Sequence, residues 1–139
     1  MNIRGLVGLA IAWGLLTTSI AFAKENAQSA VVGDWHGSSI CLVRWSACHD
    51  EEALYHVKAG EKAGTFLMQA DKVVNGKPQV MGPPAECSNK EKDVLHCEFG
   101  RGFLDLTLQG DHLDGAMFLT DKTRWRDIKL TRVKQQPTP

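Results

Sequence analysis

The chain has 139 residues, with 16 basic and 16 acidic side chains and a formal net charge of +0. So even a balance gives no electrostatic case for nucleic acid, since phosphate binding needs a clustered basic face, and nucleic acid is not expected as a partner. The length suits one domain with one core, once an N-terminal targeting segment is set aside.

Residues 1–23 read as a cleaved signal peptide. Arg4 gives the positive start, Gly5 to Ile20 an uncharged and mostly apolar run, and Ala21-Phe22-Ala23 the small residues of a cleavage site. The run falls short of the ~20 apolar residues that span a bilayer. It also contains Gly14, Thr17, Thr18 and Ser19, and no basic stop-transfer cluster follows. The mature chain is expected to begin near Lys24, in the periplasm or outside the cell. Residues 24–133 are expected to form a single domain and 134–139 a flexible tail.

Along the mature chain the apolar period is two. Val31 to Val43 reads as a first strand and Ala53 to Ala59 as a second, with Tyr55, Val57 and Ala59 on one face. Thr65 to Val74 is a third, and Asn75-Gly76 is a strong two-residue hairpin signal. Lys77 to Met81 returns as a fourth strand, which Gly82-Pro83-Pro84 interrupts. Pairing is expected to resume near Glu86 and Cys87. Val94 to Phe99, Phe103 to Gln109, Leu113 to Thr120 and Arg124 to Val133 complete eight strands. Turn signals at short, regular intervals and the absence of a sustained helical period indicate an all-β domain. Short connections favour an up-and-down antiparallel barrel, because closing the sheet removes exposed edges.

All four cysteines lie in the exported part, and an even count there reads as disulfides. Three connectivities are possible. Cys41–Cys48 and Cys87–Cys97 are favoured, because each pair flanks a turn-like segment. No cofactor is implied, and the cysteine spacings match no zinc site.

Gly33-x-Trp35 at the head of the first strand resembles the motif that opens lipocalins and related calycin barrels. In those proteins the Trp packs across the closed end of the barrel against an Arg of the last strand. Arg124, Arg126, Ile128, Leu130 and Arg132 share one face here. The resemblance implies Arg126 as the partner of Trp35, with Arg124 as the alternate. The start Gly33-x-Trp35-x-Gly37-x-Ser39-x-Cys41 also resembles that of a group of small exported bacterial proteins. The calycin resemblance implies a calycin-like barrel and points toward binding.

The densest polar cluster is His49, Asp50, Glu51, Glu52 and His56, which could hold a metal if its groups converged. A solvated loop beside a disulfide is the plainer reading, and no metal is expected. The other histidines are scattered singly, and no nucleophile elbow accompanies Ser38, Ser39 or Ser46. A hydrolase is therefore the third functional class. The first is an exported protein carrying a small apolar molecule, lined by Phe66, Met68, Leu104, Leu106 and Met117. The second is a binding or inhibitor module that meets an envelope protein through its loops, with Trp45 and Trp125 as contacts. An eight-stranded barrel can be filled or can hold one small ligand. The short chain favours a filled interior, whereas Gly37, Ser39, Ala70 and Gly115 could leave room.

Overall fold

A computed structural model describes residues 30–44 and 47–135. The signal-peptide reading, Trp45, Ser46 and the last four residues of the chain lie outside the described residues.

Nine strands run in chain order: β1 (Gly33–Cys41), β2 (Glu51–Ala59), β3 (Thr65–Val74), β4 (Lys77–Val80), β5 (Ala85–Glu91), β6 (Val94–Phe99), β7 (Gly102–Gln109), β8 (His112–Leu119) and β9 (Arg124–Arg132). All pairings are antiparallel. The ladder passes β2-β1-β9-β8-β7-β6-β5-β3, and β2 pairs with β3 to close it. The result is an eight-stranded barrel, because β4 and β5 occupy a single place beside β3. β4 pairs with the Asp71–Val74 part of β3, and β5 with the Thr65–Met68 part. The interruption lies at Gly82-Pro83-Pro84, where proline withdraws two ladder donors.

Period-two alternation sets what lies inside. Trp35, Ala53, Tyr55, Val57, Phe66, Met68, Leu95, Cys97, Leu104, Leu106, Leu113, Ile128 and Leu130 form the buried core. Asn75 and Gly76 both take positive φ, 51° and 75°, as the tight hairpin between β3 and β4 requires. Cys87 and Cys97 face each other across the β5–β6 ladder and are bonded, as are Cys41 and Cys48. Two disulfides fit an oxidising compartment. No helix among the described residues is long and apolar enough to cross a membrane.

Three expectations change. Ser88 to Asp93, within the turn-like segment that Cys87 and Cys97 flank, is mostly strand. β5 continues to Glu91 through a bulge between Asn89 and Glu91. β2 begins at Glu51, not Ala53, so Glu51 joins the inward face of Ala53, Tyr55 and Val57. Gly37 and Gly115 leave no space. A Cβ on Gly37 would stand 2.0 Å from the Lys129 carbonyl oxygen, and one on Gly115 1.9 Å from that of Asp105. Neighbouring backbone fills those places.

Candidate functional site

Trp35 is fully buried and its indole Nε1 donates to the Val31 carbonyl oxygen at 2.9 Å. The guanidinium over its ring, 4.2 Å from the centroid, belongs to Arg132. This corrects the expectation for Arg126. Trp35 pairs with Arg132 in the β1–β9 ladder, whereas Arg126 pairs with Cys41, six residues further along β1. Arg132 also donates to the carbonyl oxygens of Ala30 and Val32 and meets Asp111 at 3.3 Å. Arg132 thereby ties the chain before β1 to the last strand. Gly33 lies beneath it; a Cβ there would meet Arg132 Nη1 at 3.1 Å.

Arg126 does different work. It is buried, and its Nη1 donates to the Ser39 hydroxyl at 3.1 Å and the Ser39 carbonyl oxygen at 3.3 Å, and pairs with Glu51 Oε2 at 3.4 Å. Its guanidinium lies 5.3 Å from the ring centroid of Trp125, within cation–π range. Among the described residues Nε and Nη2 have no hydrogen-bond acceptor. Glu51 is about one-fifth exposed, at 21%. A buried charge persists when it is paired and hydrogen-bonded, and Arg126 has both kinds of partner on one of its nitrogens.

Tyr55 is the third member of this group. It is fully buried, and its Oη is the buried side-chain polar atom among the described residues that makes no hydrogen bond. Burial pushes its pKa up to about 12; the Arg126 charge opposes this and the Glu51 charge adds to it. The Ser39 hydroxyl is near enough to favour the ionised form a little, but it does not align as a partner. A buried hydroxyl without a partner costs roughly 1–3 kcal/mol, so its retention calls for an explanation.

Tyr55 is the single tyrosine of the chain, so tyrosinate absorbance near 295 nm reports on it alone. We expect a native midpoint near 12. The folded pKa exceeds the unfolded value of 10.0, so the stability from this group is whole below pH 10. It declines from there towards pH 12 as the unfolded chain releases its proton first. A native midpoint at the ordinary value would refute the burial.

These residues line a cavity of about 1370 Å³. Phe66, Met68, Ala70, Cys87, Leu104 and Met117 form its inward wall, and Met81, Pro83, Pro84, Phe99 and Trp125 its rim. Ser39, Glu51, Tyr55 and Arg126 give it one polar side. The volume is not all barrel interior. Leu67, Glu86, Ser88, His96 and Glu98 also border it, and they alternate with inward neighbours on the outer wall. It therefore combines an open chamber with a groove along β3, β5 and β6.

Of the five residues expected to line a ligand, Phe66, Met68, Leu104 and Met117 border this cavity. Leu106 does not. It is fully buried and pairs with Gly115 and Leu95 in the solid part of the core. The interior is thus packed around Trp35, Leu95, Leu106, Leu113 and Leu130 and open beside Arg126. Trp125, expected as an outward contact, is half-buried at the rim. His49 and His56 form no common site. His49 is exposed, whereas His56 bonds Asp34 at 2.6 Å and meets Asp71 at 3.4 Å on the outer wall. No group of three or more His, Cys, Asp or Glu among the described residues is arranged to hold a metal.

The sequence reading missed Glu51, Tyr55 and Arg126 as a set. One signal was present: Glu51 has the parity of Ala53, Tyr55 and Val57, so an inward charge was readable once β2 was extended by two residues. No protein-family model matches the chain, and no curated protein matches it.

Proposed function

We propose that this is an exported, non-catalytic carrier that holds a small, largely apolar molecule in the open part of its barrel, in the periplasm or outside the cell. The observation that supports this reading is the chamber itself: an apolar wall with a few convergent polar groups at one side. Ligand sites have this make-up, in volumes of roughly 300–1,000 Å³. Phe66, Met68, Leu104 and Met117 supply apolar contact, and two methionines let the wall adapt to shape. Burying an acyl or ring surface there contributes about 25 cal/mol per Å² removed from water.

The test is native mass spectrometry of protein purified from its own envelope fraction without detergent. A bound mass that leaves on unfolding is the expected result. An apo mass carrying only the two disulfides would sink the carrier reading. Recognition of an envelope protein through the Cys41–Cys48 loop would then take its place, with Trp45 as the first substitution.

A further inference from the structure

Resting on that carrier reading, we infer that the ligand is a single-chain amphiphile whose polar end is uncharged, and that Glu51 sets this selectivity. The polar group around Arg126 comprises Glu51, Tyr55 and Ser39, apart from Glu61, Lys62 and Arg101, which also border the cavity. Its charge is already balanced, since Arg126 Nη1 stands 3.4 Å from Glu51 Oε2. A ligand carboxylate approaching Arg126 would meet the Glu51 carboxylate a few ångströms away. A cationic head would meet Arg126 in the same way.

An uncharged head meets neither penalty. Among the described residues Tyr55 Oη, which donates or accepts, lacks a hydrogen-bond partner, and the hydrogen bonds of Arg126 to Ser39 run through Nη1, one of its three donor nitrogens. Burial keeps the phenol protonated through ordinary pH. A hydroxyl, ester or amide head has the matching acceptors and donors. It would supply the hydrogen bond that the Tyr55 hydroxyl lacks. The chain of such an amphiphile would lie along Phe66, Met68, Leu104 and Met117 towards Met81 and Phe99.

The experiment compares two probes with the same C12 chain, 1-monolauroylglycerol and sodium laurate, below their micelle concentrations near pH 8. Binding is followed by Trp fluorescence on the intact mature chain. Wild-type protein is expected to bind monolauroylglycerol at least ~10-fold more tightly than laurate, the scale of a like-charge contact. Glu51→Gln removes the opposing charge and is expected to reverse the order. Tyr55→Phe is expected to weaken monolauroylglycerol by about 3- to 10-fold, one hydrogen bond's worth, while leaving laurate less affected. Laurate bound more tightly by the wild type overturns the inference and leaves the carrier reading standing. Equal monolauroylglycerol affinity in Tyr55→Phe does the same. Binding of neither probe by the folded wild type overturns both.

Discussion

Trp35→Ala is expected to destabilise the protein by roughly 3–5 kcal/mol, a large share of what holds a domain of this size together. The side chain is fully buried, so its removal leaves a cavity as well as losing transfer energy. It also strands two polar partners. The Val31 carbonyl oxygen loses its donor, and the Arg132 guanidinium loses the ring beneath it. Trp35→Phe keeps most of the apolar surface but not the indole N–H, so its cost should be much smaller. Urea unfolding measures both. A wild-type midpoint for Trp35→Ala would mean that the indole is not the plug of this end of the barrel.

Removing the Cys87–Cys97 bridge is the second large effect. Its ten-residue separation gives a short loop, for which chain entropy assigns roughly 2–3 kcal/mol. Both residues are also buried in the barrel wall, at 4% and 0% exposure, so the bridge fixes the β5–β6 hairpin where it faces the core. The double variant Cys87→Ala with Cys97→Ala should therefore lose more than Cys41→Ala with Cys48→Ala, whose cysteines are both only partly buried. Unfolding midpoints of the two variants, compared under the same conditions, decide the order. A greater loss in the Cys41–Cys48 variant would show that the outer loop, not the hairpin, limits stability.

Much of this architecture was legible in local patterns. Alternation along Phe103 to Gln109 marks its inward leucines without any knowledge of neighbours. Asn75-Gly76 marks its hairpin, and Gly82-Pro83-Pro84 marks the break between β4 and β5. Of three possible cysteine connectivities, the one favoured because each pair flanks a turn-like segment is the one observed. What failed was register between distant strands. Arg126 and Arg132 share one face and one parity, so periodicity cannot choose between them. The choice is made by the β1–β9 ladder, which sets Trp35 opposite Arg132 across most of the chain's length. The polar group of the chamber was hidden for the same reason. Ser39, Glu51, Tyr55 and Arg126 belong to β1, β2 and β9, and only the pairing of those strands brings them together.

The motif Gly33-x-Trp35-x-Gly37-x-Ser39-x-Cys41 has a physical account at each position. Gly33 makes room for Arg132, Trp35 plugs the barrel and Gly37 admits the backbone of β9. Ser39 holds Arg126, and Cys41 clips the following loop. Alternate residues of one strand thus serve the closed part of the barrel first and the chamber second.

The break between β4 and β5 also bears on the local stability of the wall. Each piece holds β3 through only four residue pairs, and the turn between them contains Pro83 and Pro84. Sheets open where cooperative pairing is shortest. β4 pairs with β3 alone, whereas β7 and β8 are paired on both sides, so amide exchange is expected to be faster in β4 than in β7 and β8.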